Sequence, residues 1–303
     1  MTRPLPHDNV DNFEKVRKIW LTRYMQTQSK TDTRIRTILV AAAEDAAVKV
    51  TALEKNSTFS AGVRTAQLRL VMSTIKDILN DVFNEITPVI SNGQKSEAVA
   101  AVDALTETDR EYLKSAFQNT GDINSFIDSQ KLQAKIQLIH AINSVTKQKH
   151  TLSQNVYRTK ALSKQWVQRD VTSGIARGAS AEEIAKIVRK HIRPNTPGGV
   201  SYAALRLSRT ELNNAFHATA ITLSQDRPWI KGMEWHLSAV HQHDGGRVEI
   251  CESYANQIFD VDNVPAKPHP QCRCFVAPVL EPVDVFIRNL TAGQYRDWID
   301  NAA

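Results

Sequence analysis

The 303-residue sequence predicts an α+β fold that is predominantly α-helical, with a long N-terminal helical region followed by a small C-terminal α+β module. Apolar residues recur at helical spacing from about Asn12 to Arg169, where turn glycines are scarce. Met233 to Val240 instead alternates between apolar and polar residues, as a strand does. We therefore divide the chain into a helical region (1–170), the α+β module (171–282) and a C-terminal tail (283–303).

The breakers within the helical region set the expected helix ends. Pro88, Asn92 and Gly93 are predicted to end one helix, and Gly121 with Asp122 to end another. Between residues 123 and 171 there is no proline and no glycine. This stretch predicts either one helix of more than about 40 residues or two closely joined helices.

The second half of that stretch is basic, with no acidic residue before Asp170. Its basic residues are Lys147, Lys149, Arg158, Lys160, Lys164 and Arg169. Such a helix surface is a candidate contact for nucleic acid or for an acidic protein face. The alternative is an ordinary solvated helix face.

The α+β module opens with clear local signals. Ser180 and Glu183 form a predicted capping box that starts a short helix ending near His191. Two prolines and two glycines make 193–199 a loop, and helical spacing resumes over Tyr202–Gln225.

The composition is that of a soluble globular protein with a basic surface. Hydrophobic residues make up 42% and charged residues 23% of the chain, which are ordinary fractions. The formal net charge of +6 favours an anionic partner, although a surplus spread over the surface would serve only solubility. The sequence has neither a run of about 20 apolar residues nor a secretory signal. We therefore expect no membrane partner and synthesis in the cytosol.

The three cysteines lie within 24 residues of each other, close to a histidine that is flanked by prolines. Cys251, His269, Cys272 and Cys274 form a Cys₃His set that matches the ligands of a closed structural zinc site, with His243 as an alternative fourth ligand. Two other interpretations stay open. The thiols are buried packing residues in a loop fixed by prolines, or Cys251 forms a disulfide with Cys272 or Cys274.

Several of these residues also follow the order of a known family pattern. The segments that carry it are Arg209-Thr210-Glu211 on a helix, Trp235-His236 on a strand, Cys251, and the closing His269-Pro270-Gln271-Cys272-Arg273-Cys274. This pattern resembles the phage Mu F-like head morphogenesis family of minor head proteins, over roughly residues 170 to 280. Tyr254 stands where family members often carry a second cysteine, so the resemblance does not supply a fourth ligand at that position.

The resemblance implies a virion component of a tailed phage and not an enzyme. Such proteins are made in the host cytoplasm, reside in the head near the portal vertex, and act in head assembly, DNA packaging or ejection. The implied partners are the portal protein, the major capsid or scaffold protein, and packaged double-stranded DNA. Many relatives append a toxin or enzyme domain, whereas here the 29 residues after Cys274 leave room for only a short helix around residues 291–299.

Arg209 and Glu211 could also form a catalytic pair, but residues two apart on a helix do not share a face. We instead predict buried ion pairs, from Arg209 to Asp244 or from Glu211 to Arg247. Arg273 is expected to bind a carboxylate or backbone carbonyls within the module.

Two other functions are alternatives to the head protein. The first is a metal-dependent nuclease that uses His241, His243 and Asp244. The second is a sequence-independent DNA-binding protein that stays outside the virion. No phosphate-binding loop, dinucleotide fingerprint or nucleophile elbow is present in the sequence, so nucleotide hydrolysis, redox and esterase functions are unsupported.

Overall fold

The computed structural model describes residues 10–53, 61–117, 124–128, 130–131, 134, 151–177, 179–194, 198–238 and 250–298. The helices are α1 (Val10–Ala52), α2 (Ala61–Ala116), α3 (Leu152–Ala176), α4 (Ala181–Ile192), α5 (Val200–Gln225), α6 (Ile250–Tyr254) and α7 (Val283–Thr291). The strands are β1 (Ile230–His236), β2 (Ile258–Phe259) and β3 (Phe275–Leu280), and a 3₁₀ turn covers Val261–Asn263. The predicted class, α+β and predominantly helical, is confirmed.

Each of two compact units is assembled from separated stretches of sequence. The first, here called the sheet unit, comprises Met1–Gln28, Gln94–Lys147 and Leu212–Ala303. The second, the helical unit, comprises Ser29–Gly93 and Gln148–Glu211. The boundary that we placed near residue 170 lies inside α3, within the helical unit. Among the helices described, none has both the length and the apolar composition needed to span a membrane.

The sheet has three antiparallel strands in the order β2-β1-β3. Met233 of β1 pairs with Phe259 of β2, and Trp235 of β1 pairs with Val276 of β3. Gly232 of β1 leaves no room for a side chain beside β2, because a Cβ at this position would lie 2.8 Å from the Phe259 carbonyl oxygen. The predicted strand is therefore confirmed, but it begins at residue 230 and ends at residue 236.

The core of the sheet unit is rich in aromatic side chains, and some of them also donate hydrogen bonds to buried polar groups. Fully buried Trp20 donates from Nε1 to Thr108 (3.0 Å), and its ring meets Phe216 edge to face at 5.9 Å. The indole of Trp229 donates to Asp109 (2.9 Å), which also receives Arg227 Nε (2.9 Å) in a buried ion pair. Burial raises the pKa of Asp109, although Arg227 and both hydrogen bonds act against that rise. This core joins parts of α1, α2 and α5 to the sheet.

In the helical unit, two capping boxes mark helix starts. The predicted capping box on α4 is confirmed. The Ser180 hydroxyl accepts a hydrogen bond from the Glu183 amide, and the Glu183 carboxylate accepts one from the Ser180 amide. Thr151 and Gln154 form the same arrangement at the start of α3. Because Thr151 has extended backbone (φ −70°, ψ 161°), the alternative of a single continuous helix through residue 151 was wrong. The helix over Tyr202–Gln225 is confirmed as α5.

The predicted helix end at Pro88, Asn92 and Gly93 was wrong, because α2 continues through all three residues. A proline removes one backbone hydrogen bond and disfavours helix by about 3 kcal/mol. Burial of Ile86 and Ile90, both with no exposed surface, opposes that cost by holding the two neighbouring turns in the core.

The helix expected around residues 291–299 is present in part, since residues 296–298 are helical, but a longer helix lies earlier. That helix is Val283–Thr291, which begins directly after Pro282. Pro282 is the N-cap residue, with non-helical backbone (φ −54°, ψ 136°) and no side-chain capping bond. Gly293, with φ +75°, turns the chain after Ala292. Within 291–298, helix resumes only at residues 296–298.

Candidate metal centre

Three of the predicted ligands converge in the sheet unit. The Cys251 Sγ atom on α6 lies 3.3 Å from His269 Nε2 and 3.4 Å from Cys272 Sγ. All three ligand atoms lie within 4.8 Å of one another. In a tetrahedral zinc site, Zn–S bonds of about 2.3 Å place neighbouring ligand atoms roughly 3.5 to 3.8 Å apart. The observed separations are close to that spacing. Cys251, His269, Cys272 and Cys274 are called the Cys/His cluster below.

A tight turn brings His269 and Cys272 together. The Cys272 amide donates to the His269 carbonyl (3.3 Å), which closes a four-residue turn with Pro270 at its second position. Gln271, at the third position, has φ +60°. Proline followed by a residue of positive φ is the pattern of a type II turn. The sequence His-Pro-Gln-Cys therefore folds back on itself and presents two ligand side chains three residues apart.

Cys274, the fourth predicted ligand, neighbours both other cysteines but is not one of the three residues whose ligand atoms all lie within 4.8 Å of one another. All three cysteines are buried and unbridged. Hydrogen bonds to the Cys274 sulfur from Cys251, and then from Cys272, hold the pKa of Cys274 far below its usual range. The pKa of Cys251 is raised in turn, first by its hydrogen bond to Cys272 and then by the one to Cys274. Several thiolates this close repel each other, and both the Lys267 ammonium and a bound cation would relieve that repulsion.

The histidine is held in the tautomer that a metal ligand needs. His269 Nδ1 lies 3.0 Å from the Pro270 carbonyl oxygen, which can only accept a hydrogen bond. The proton is thereby fixed on Nδ1, and the Nε2 lone pair faces Cys251. Ligating histidines are commonly oriented by such a bond from the second ring nitrogen.

Side chains from distant parts of the sequence fix the backbone of the cluster. The Cys272 carbonyl accepts hydrogen bonds from Tyr24 Oη (3.4 Å) and Asn213 Nδ2 (2.6 Å). Lys267 donates to the Cys274 carbonyl, and its ammonium lies 5.5 Å from the centre of the Trp235 ring. Sequence reasoning missed all of these residues. Tyr24 is 248 positions from Cys272, and no local signal relates them.

The Arg-Thr-Glu segment is structural in the helical unit. Arg209 forms an ion pair with Asp32 (2.6 Å), and Glu211 accepts a hydrogen bond from Asn155 (2.8 Å). Burial raises the pKa of Glu211. Thr210 donates from Oγ1 to the backbone carbonyl of Arg206 (2.7 Å). Arg209 and Glu211 thus engage different partners, in line with their different faces.

Several sequence predictions fall on residues outside the described part of the chain. These are Lys147, Lys149, His241, His243, Asp244 and Arg247. The ion pairs that we predicted with Asp244 and Arg247, and the fourth ligand at His243, stay predictions. Arg273 is half-buried and makes no hydrogen bond or ion pair with the residues that the structure describes.

The described basic residues of α3 do not share one face. Arg158 and Arg169 are exposed and lie about 20° apart around the helix, since each residue turns about 100°. Lys160 and Lys164 are half-buried and flank the opposite side, which packs into the helical unit through residues such as Val167. Arg169 also pairs with Asp170 at 3.2 Å.

Comparison with known proteins supports the resemblance carried by the motif residues. Residues 165–277 match the family model described as Phage Mu protein F like protein. No curated protein and no solved structure matches the chain at a significant level. The matched segment contains Arg209-Thr210-Glu211, Cys251 and the turn from His269 to Cys274. Residues 165–277 are therefore similar to the Phage Mu F-like family, which is the resemblance that the sequence pattern predicted.

Proposed function

We propose that this chain is a minor capsid protein of a tailed phage that acts at the portal vertex, in head assembly or in DNA packaging or ejection. The family match over residues 165–277 carries the proposal. The role is structural and not catalytic. Arg209 and Glu211, the motif residues best suited to acid–base chemistry, are each committed to a separate partner.

The head role is tested by locating the protein. Phage particles are purified through a density gradient, and their proteins are identified by mass spectrometry. Crosslinking of intact particles then identifies the neighbours of this chain. We expect the chain in mature particles at low copy number, with crosslinks to the portal protein. Its absence from particles that contain the portal and major capsid proteins would contradict the proposal.

Within this role, we propose that the Cys/His cluster binds one structural zinc ion. The observation that supports it is the convergence of Cys251, His269 and Cys272, with His269 already in the ligating tautomer. Cys274, whose sulfur hydrogen-bonds to both other thiols, would supply the fourth ligand. A closed site of this type contributes on the order of 10 kcal/mol to folding. The ion would fasten α6 to the turn before β3, which closes the small sheet.

Metal analysis of the purified, untagged protein tests the zinc site directly. We expect about one zinc ion per chain. Cys251→Ser should abolish binding and lower the unfolding midpoint by more than about 10 °C. Ser253→Ala, an exposed change two residues away on α6, is the matched control and should retain zinc.

The disulfide interpretation gives a different result in the same preparation. Cys251 and Cys272 are unbridged, with sulfur atoms 3.4 Å apart. A protein purified without reductant that holds no zinc and has lost two free thiols would refute the metal site. That outcome would leave the head role intact, because the virion experiment does not depend on zinc.

A further inference from the structure

A groove of about 650 Å³ lies between α1 and α4 in the helical unit. Five cationic side chains line it: Arg36, Lys186, Arg189, Lys190 and Arg193. Val40 and Pro194 complete the lining. We call this site the basic groove. It belongs to a different unit from the Cys/His cluster, and sequence reasoning did not single it out.

Part of the positive charge in the basic groove is neutralised internally. Glu44 accepts from Arg189 (2.6 Å) and from Arg193 (2.9 Å), and these hydrogen bonds, that of Arg193 first, lower the pKa of Glu44. Lys186 pairs with Glu182, four residues earlier on α4. Five cations against two carboxylates leave three net positive charges, so the groove favours an anionic occupant.

Two cations in the groove remain available to a partner. Arg36 and Lys190 form no ion pair with the residues that the structure describes. They reach the groove from its two sides, Arg36 from α1 and Lys190 from α4. Arginine binds carboxylates through two parallel hydrogen bonds, whereas lysine acts as a point charge. Together they would hold two carboxylates of a segment lying along the groove.

The lining of the groove also includes apolar side chains. Val40 is 48% exposed, and it lines the groove together with Pro194. A nucleic-acid backbone would use the cations alone and leave Val40 in water. A protein segment that alternates acidic and apolar side chains would use both. Amphipathic segments dock in this way, with apolar anchors in the groove and charges at its rim.

From this geometry we propose that the basic groove is a docking site for an acidic amphipathic segment of a partner protein. An apolar side chain of the segment packs on Val40, and its carboxylates bind Arg36 and Lys190. The proposal does not rest on the head role or on the zinc site.

Fluorescence anisotropy with defined probes tests the docking site. The probe is a labelled helical peptide of about 14 residues built from Glu and Leu at amphipathic spacing. Its two comparators are the same peptide with Leu replaced by Ser and a labelled 20-base-pair DNA duplex (about two helical turns). We expect the Glu/Leu peptide to bind at least about tenfold more tightly than the Glu/Ser peptide, because only the former contacts Val40.

Charge reversal assigns the binding to the groove. Arg36→Glu with Lys190→Glu should weaken peptide binding at least about tenfold. Arg69→Glu with Lys76→Glu makes the same charge change at exposed positions on α2, outside the groove lining. This control should change affinity by less than about twofold. Circular dichroism of both double variants checks that the fold is retained.

Three outcomes overturn the proposal. The Glu/Leu peptide fails to bind, it binds no better than the Glu/Ser peptide, or both double variants weaken it equally. A fourth result assigns the groove to nucleic acid instead. In that case the duplex binds and loses affinity only in the groove variant, while the peptides do not bind.

Discussion

Replacement of Glu97 by glutamine should stabilise the protein at neutral pH. Glu97 lies on α2 in the sheet unit, and its side chain has no exposed surface. Neither carboxyl oxygen accepts a hydrogen bond from the residues that the structure describes. Burial raises its pKa from 4.5 to about 9, and the nearby charge of Lys267 offsets only part of that rise. The folded protein therefore holds Glu97 in its neutral, protonated form at pH 7.

The size of the effect follows from proton linkage. Between pH 4.5 and about 9 the unfolded chain has released the Glu97 proton and the folded chain retains it. A group whose folded pKa is raised contributes stability below its unfolded pKa, and that contribution is lost as pH rises. The loss is about 1.4 kcal/mol per pH unit, or roughly 3 kcal/mol at pH 7. A glutamine side chain has no such proton to release, so Glu97→Gln avoids this loss.

Urea unfolding at pH 6, 7 and 8 measures the effect without acidifying the Cys/His cluster. We expect the free energy of unfolding of Glu97→Gln to exceed that of the wild type by roughly 2 kcal/mol at pH 6, 3 kcal/mol at pH 7 and 5 kcal/mol at pH 8. These are upper estimates from the same linkage. Glu85→Gln, at an exposed position of the same helix, is the control and should follow the wild type. Parallel pH profiles for Glu97→Gln and the wild type would refute the argument. They would mean that Glu97 is ionised in the fold and paired with Lys267.

Three further substitutions test individual contacts in the fold by urea unfolding. Gly232→Ala should destabilise the sheet unit by about 1 to 3 kcal/mol, because the added methyl would lie 2.8 Å from a carbonyl oxygen; an unchanged midpoint would contradict that close approach. Arg227→Met should lower the free energy of unfolding by about 3 to 5 kcal/mol, because the buried Asp109 would lose its ion-pair partner. The double variant with Asp109→Asn should lose less than the sum of the two single changes, whereas strict additivity would argue against the pair. Thr151→Ala should cost about 1 kcal/mol through loss of the α3 cap, and Thr151→Ser almost nothing; equal losses would exclude capping as the cause.

Features encoded by neighbouring residues could be predicted from the sequence. The capping box at Ser180 and Glu183 depends on residues three apart, and both of its hydrogen bonds are present. The strand β1 was predicted from alternation over a few positions, and its ends differ by a few residues. The approach of Cys251, His269 and Cys272 followed from their residue types and their position beside a proline-rich turn. In each case the physical cause acts over a short stretch of chain.

Features that depend on distant packing could not be predicted. Pro88 ends a helix when only neighbouring residues are considered, yet α2 continues through it, with buried side chains two residues away on either side. Arg209 pairs with Asp32, which lies 177 positions earlier and carries no signal as a partner. The basic groove likewise forms because α1 and α4 bring together cations that are about 150 residues apart in the sequence.

The turn before β3 also answers a geometric objection to a metal site. Zinc knuckles usually present two cysteines three residues apart, and the cysteines here are only two apart at positions 272 and 274. His269 and Cys272 nonetheless have the three-residue spacing. The turn between them, closed by the hydrogen bond from the Cys272 amide to the His269 carbonyl, resembles the turn of a zinc knuckle. Cys274 then follows as a third sulfur directly before the strand, and Cys251 reaches the group from α6. In the proposed zinc site, His269 would therefore take the place of the first knuckle cysteine. On this argument, His269→Cys should retain zinc and His269→Ala should lose it, whereas equal loss in both variants would exclude the knuckle.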